Sequence, residues 1–146
     1  MESIKTQFIT NLNSLKKEIE SYPDDASIRQ VTAGINNAPA TLAIHICGNL
    51  KHNIGAGIGS NGFIRNRDEE FSARGLSKEH VMNEIDLTKS MIEPVLDSLT
   101  SIDLEKPWPN DGFGEGQTLG SVLIRIGIHL GYHLGQINYH RRLLTK

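Results

Sequence analysis

The sequence predicts an all-α fold, a four-helix bundle with crossover connections. Four segments place apolar residues at steps of three and four, the spacing of one helix face. No stretch alternates apolar and polar residues at period two, so strands are not expected. The connectors between the segments are long, which suits a bundle with at least one connection running end to end. The 146 residues are one domain's worth of chain, so 1–146 is expected to be a single domain. A chain of that size buries roughly 68–70% of the surface it exposes when unfolded, enough for a core without staples.

The first segment runs from about Ile4 to Glu20, with Ile4, Phe8, Leu12, Leu15 and Ile19 as its apolar stripe. Pro23, Asp24 and Asp25 end it. After a connector from Ser21 to about Ala38, Pro39 suits the first turn of a second helix, where a missing N–H costs nothing. That helix is expected from about Ala40 to Gly55 on the ridge Leu42, Ile46, Leu50 and Ile54, and the run GAGIGSNG is expected to terminate it. Residues 60–76 are polar and charged and are expected to form a loop. Ser77 is a plausible N-cap for the third helix, which runs to about Thr100 over Val81, Ile85, Thr88, Ile92, Val95 and Leu99, with Pro94 as a candidate kink. A Pro- and Gly-rich connector, 101–117, carries Trp108 between two prolines. Thr118 can cap the fourth helix, from about Leu119 to Leu143. This helix is apolar on more than one side, as expected for a central helix or one in a subunit interface.

Composition excludes several classes. The net charge is −2, with both signs spread along the chain, which argues against a nucleic-acid binder. No apolar run approaches the ~20 residues of a membrane span. The first residues carry no apolar signal core, and Cys47, the single cysteine, has no intramolecular disulfide partner. A cytoplasmic protein is expected, without nucleic acid or membrane as partner.

The six histidines are His45, His52, His80, His129, His133 and His140. His129 and His133 are four apart, on one helix face and one turn apart. They continue the apolar stripe Val122, Ile126, Leu130, Ile137 and so point inward. Two imidazoles so placed can meet one ion at about 2.0–2.1 Å from each nitrogen. An inward pair left without partners would be costly, although two ordinary satisfied polar residues would look the same. His45, beside the ridge of the second helix, is a candidate third ligand from a facing helix. His140 is about 10.5 Å along the axis from His133, too far to share an ion. His52 is as far from His45, and His80 is expected at the surface.

With these residues in view, the passage NNAPATLAIHICGNLKHNIGAGIG, then IRNRDEEF, then GQTLGSVLIRIGIHLGYHLGQINYHRRLL resembles the DinB-like (DinB/YfiT) superfamily of metalloenzymes. The joined patterns are HxxGN, His45 to Asn49, and HxxxHxGQ, His129 to Gln136. The likeness covers most of the chain from Gly34 onward. It implies a four-helix bundle in which His45, His129 and His133 hold a divalent metal ion, zinc or nickel. It also implies thiol-dependent S-transferase chemistry among characterised members, and homodimers. Gly131 and Tyr132 depart from the acidic or small residues expected between the paired histidines.

Structural zinc sites are usually closed by four protein ligands, and catalytic ones keep an open position. The open ligand count together with the resemblance therefore implies an enzyme activating a small thiol toward an electrophilic substrate, or a water. The alternatives are a non-catalytic, metal-braced stress-response or binding protein, and a bundle without metal. Gln136 is expected to fix a histidine tautomer or to make an ordinary interhelix bond. Asn49, one turn from His45, faces the open side or caps a loop. The charged run Arg65, Arg67, Asp68, Glu69 and Glu70 is either simply solvated or rims the pocket and recognises an anionic thiol or substrate, with Arg67 as the candidate pocket residue. Tyr132 is expected to pack between helices, Trp108 to anchor its connector, and Cys47 to act as a small buried apolar residue.

Overall fold

The computed structural model describes residues 1–144; Thr145 and Lys146, the end of the expected 1–146 domain, lie outside the described residues. Six α-helices are present among them and no strand: α1 Glu2–Glu20, α2 Asp25–Arg29, α3 Pro39–Leu50, α4 Arg67–Ser72, α5 Lys78–Ser98 and α6 Leu119–Leu144. A π-helical segment, Lys51–Ile58, continues α3, and two 3₁₀ turns, Asp103–Glu105 and Asp111–Phe113, lie between α5 and α6. No helix among the described residues is long and apolar enough to cross a membrane.

The long helices form on the expected stripes. Phe8, Leu12, Leu15 and Ile19 of α1 are buried, as are Leu42, Ile46, Leu50 and Ile54 of α3 and its extension. Val81, Ile85, Thr88, Ile92 and Leu96 of α5 are buried too, while Val95 and Leu99 are only partly so. Each fully buried Leu or Ile contributes on the order of 1.5–3 kcal/mol relative to exposure. α1 and α3 each pack against both α5 and α6, so one core runs between the four. Ser77 caps α5, accepting from the His80 N–H at 3.1 Å. Thr118 and Ser121 exchange bonds at the start of α6. Pro94 sits on the exposed side of α5 and does not interrupt it.

Three expectations need correcting. The second helix does end within the run GAGIGSNG, but at Ile58 rather than near Gly55. The backbone widens into π geometry and stays helical to Ile58, and Ser60, at φ 51°, turns the chain away. These glycines permit close packing: a Cβ on Gly59 would strike Val95, and one on Gly55 would strike Asn61 and Met91. The connectors also contain short helices. Asp24 and Ser27 form a reciprocal capping box on α2, and Asn66 caps α4 by accepting from the Glu69 N–H. Finally, Tyr132 does not pack between helices. It is 63% exposed, because no other helix among the described residues covers that side of α6.

Candidate metal centre

α3 brings His45 against α6, and the packing of these two helices assembles the cluster. His129 Nε2 lies 3.2 Å from His45 Nε2 and 3.0 Å from His133 Nε2. The rings meet edge to face, with centroids 4.5–5.3 Å apart. His45, His129 and His133 are thus close enough together to bind a metal ion. Donor atoms about 2.0–2.1 Å from one ion, at angles between octahedral and tetrahedral, are themselves about 2.9–3.4 Å apart. Both His129 separations fall in that span.

The outer nitrogens decide what the inner ones offer. His45 Nδ1 is 2.9 Å from Glu70 Oε2. A carboxylate only accepts, so Nδ1 carries the proton and Nε2 presents a lone pair to the cluster. Arg65 approaches the same nitrogen at 3.2 Å, but a guanidinium only donates, so this is a close approach and not a bond. His133 Nδ1 is 2.7 Å from Gln136 Oε1, and Gln136 Nε2 donates to the Tyr132 hydroxyl. His133 therefore also turns an Nε2 lone pair inward. His129 Nε2 has one proton at most and faces both. Two Nε2 lone pairs, fixed inward by the outer N–H bonds of His45 and His133 and converging on the Nε2 of His129, match the donor chemistry of a divalent cation.

Glu70 is itself locked. It is 6% exposed, and Arg65 grips it with Nε on Oε1 at 2.6 Å and Nη2 on Oε2 at 2.8 Å. Gly48, one turn after His45, makes room for it: a Cβ at that position would overlap the Glu70 carboxylate. The Phe71 ring covers His45 with centroids 4.9 Å apart. Burial lowers the His45 pKa, outweighing the opposing pull of Glu70. Burial, with the neighbouring His133 and His45, pushes His129 down to about 4. At neutral pH both are unprotonated, the form that ligates.

The other predicted residues fall into place around this. Gln136 holds His133. Arg67 does not reach the histidines. It lies over the Phe71 ring, 5.4 Å from the centroid, while Arg65 of the same run is the arginine beside His45 and Glu70. Asn49 has a buried Oδ1 without a hydrogen-bond partner among the described residues. His52 and His80 are exposed. His140 is buried away from the cluster, bridging the hydroxyls of Tyr22 at 3.0 Å and Thr32 at 3.2 Å. Cys47 is buried and its pKa is pushed up to about 12 by burial, so it is no nucleophile at neutral pH. Trp108 is buried, with its N–H on Asn110.

Sequence reasoning named Glu70 and Arg65 only as members of a charged run at the pocket rim, and missed that Glu70 bonds His45 and that Arg65 holds Glu70. The available signal was the order Glu70–Phe71, an acid followed by a large apolar residue at the end of a charged run, together with the glycine in HxxGN.

No curated protein and no solved structure matches the chain. The family model described as "Protein of unknown function (DUF1572)" matches residues 1–146, and the chain belongs to that family.

Proposed function

We propose that this chain is a metal-dependent enzyme of DinB-like type, a single four-helix bundle with crossover connections. In this reading His45, His129 and His133 hold one divalent ion, zinc or nickel, and the centre activates a low-molecular-weight thiol or a water. The observation that carries the reading is the convergence of three Nε2 atoms whose outer partners, Glu70 and Gln136, turn lone pairs inward. The cluster numbers three ligands, one fewer than a closed structural zinc site has, and this favours catalysis over a purely bracing role. An ion held there supplies Lewis acidity, which lowers the pKa of a thiol or water that reaches it. The chain's own residues do the rest. Glu70 and Arg65 orient His45, Gln136 orients His133, and Phe71 keeps water from the His45 side. In S-transfer, the thiol sulfur would form a bond to an electrophilic carbon as the leaving group departs with its electron pair, and the thiol proton would pass to solvent.

A homodimer belongs to the same reading. Ile124, Ile128 and Tyr132 follow one another at four-residue steps on α6 and are 58%, 67% and 63% exposed. Isolated exposed apolar residues are ordinary, but an unbroken stripe of them marks an interaction face.

Metal analysis of protein purified without a histidine tag tests the centre. Wild type is expected to take up close to one equivalent of zinc, nickel or cobalt, and His129→Ala essentially none. The cobalt form is expected to change its visible absorption when a small thiol such as β-mercaptoethanol is added. Wild type that takes up no transition metal on dialysis would sink the proposal. Metal uptake with neither a response to thiols nor hydrolytic turnover would leave a bracing role.

A further inference from the structure

A cavity of about 730 Å³ opens between the connector at 34–37 and α6. His133 and Gln136 form part of its wall, so it abuts the imidazole cluster. Its volume is within the range of about 300–1,000 Å³ typical of small-molecule sites. Its floor is apolar, made by Leu42 and Ile137, both buried. The phenol rings of Tyr132 and Tyr139, each more than 60% exposed, stand at its edge. The polar groups in its lining are the amides of Asn36, Asn37 and Gln136 and the imidazoles of His133 and His140.

Among the described residues, none of the lining is an Arg, Lys, Asp or Glu. Burial lowers the His140 pKa, so that ring adds no charge at neutral pH. The contrast lies close by: across the same Asn36–Asn37 turn, a smaller cleft of about 300 Å³ is lined by Arg29 and Arg74. Away from the ion, a carboxylate, phosphate or ammonium taken into the cavity would lose water and find no oppositely charged side chain in the lining, a cost of several kcal/mol per ion in an apolar setting. Amides donate and accept alike, and so satisfy a carbonyl, amide or hydroxyl. Aromatic rings add stacking surface.

We propose that this cavity binds an uncharged substrate group, aromatic or otherwise apolar, bearing a neutral polar function read by Asn36, Asn37 and Gln136. This rests on the reading of the centre as an enzyme site and names the chemical class of the substrate group held away from the ion: neutral, since no side chain of the lining offers an opposite charge.

Three probes of one shape test it: benzamide, benzoate and benzamidine, which are neutral, anionic and cationic. Amide chemical shifts of the full chain are followed in metal-free protein, so that no ion attracts the benzoate. Benzamide is expected to shift the amides of 34–37 and 132–140, with the two ions at least about tenfold weaker there, a difference of about 1.4 kcal/mol. Gly135→Leu is the control. Gly135 lines the cavity, and a Cβ on it meets nothing within 4 Å, so the leucine fills the space without straining the helix. It is expected to abolish the benzamide shifts while the rest of the spectrum stays folded. The inference is overturned if benzoate or benzamidine binds there as well as benzamide, if benzamide shifts nothing there at any soluble concentration, or if Gly135→Leu leaves the shifts unchanged. Failure of the metal reading has a different signature: wild type takes up no transition metal, whatever the probes do.

Discussion

At the scale of single residues, the centre depends on a buried carboxylate as much as on its histidines. An imidazole on a helix has several rotamers, and His45 presents Nε2 to the cluster because Glu70 receives Nδ1–H at 2.9 Å. Outer partners of this kind typically change metal affinity by about 10–100-fold when removed. Glu70→Gln is therefore expected to weaken zinc binding by about that factor, measured by competition with a chromophoric chelator. Gly48→Ala should have a similar effect by a different route, since its methyl group occupies the space of the Glu70 carboxylate. Circular dichroism of both metal-free variants separates lost affinity from lost fold. Zinc affinity that survives both changes would mean that His45 is oriented by something else. The pair His129 and His133 was legible because its four-residue spacing coincides with the helix repeat, whereas the choice of His45 over His52 rests partly on its place beside the ridge and mostly on the family resemblance. Glu70 was not legible, because four of the five charges in its run behave differently from it: Arg67, Asp68 and Glu69 are exposed and Arg65 is half-buried.

At the scale of elements, periodicity located α1, α3, α5 and α6 to within a few residues, since each buries a stripe that repeats every three to four positions. It missed what has too few turns to repeat, α2 and α4. It also missed the π segment, whose composition of glycines between apolar residues reads as a helix stop until the close approach of Val95 and Met91 is seen. The connector from Gln30 to Ala38 is the other element whose order comes from outside itself. His140 on α6 reaches it through the Thr32 hydroxyl and also holds Tyr22. Burial lowers the His140 pKa below the ordinary histidine value, against the opposing Gln30 carbonyl. The unfolded chain therefore binds the proton more readily than the native one. The stability this group contributes is fully present above about pH 6.5 and is lost as pH falls through the window below it. Acidifying from about pH 7 to about pH 5 is expected to raise the hydrogen exchange of amides 31–38, after correction for intrinsic rates. His140→Asn should remove most of that pH dependence while raising exchange at neutral pH. Equal pH dependence in variant and wild type would show that the connector is held by other contacts.

At the scale of the whole molecule, the fourth helix was expected to be either wrapped by the chain or placed in a subunit interface, and its own sequence does not choose between them. The fold divides its circumference. Val122, Ile126, Leu130 and Ile137 are buried in the core, His129 and His133 stand at its border, and Ile124, Ile128, Tyr132 and Tyr139 are left outside. In a monomer that outer stripe keeps several apolar side chains in water, and burying each returns on the order of 1.5–3 kcal/mol before the cost of association. A charge in the middle of the stripe discriminates cleanly. Ile128 is 67% exposed, so Ile128→Asp should change the stability of a monomer by no more than about 0.5 kcal/mol. In a two-fold dimer it would place two carboxylates in an apolar interface. Light scattering is expected to give twice the chain mass for wild type and the single-chain mass for Ile128→Asp, with metal content equal in both. Wild type that remains monomeric at high micromolar concentration would overturn the dimer. Because Tyr132 and Tyr139 belong both to this stripe and to the edge of the neutral cavity, a wild-type dimer would also place the partner chain beside the cavity mouth. Benzamide binding should then weaken in Ile128→Asp, although residue 128 does not line the cavity.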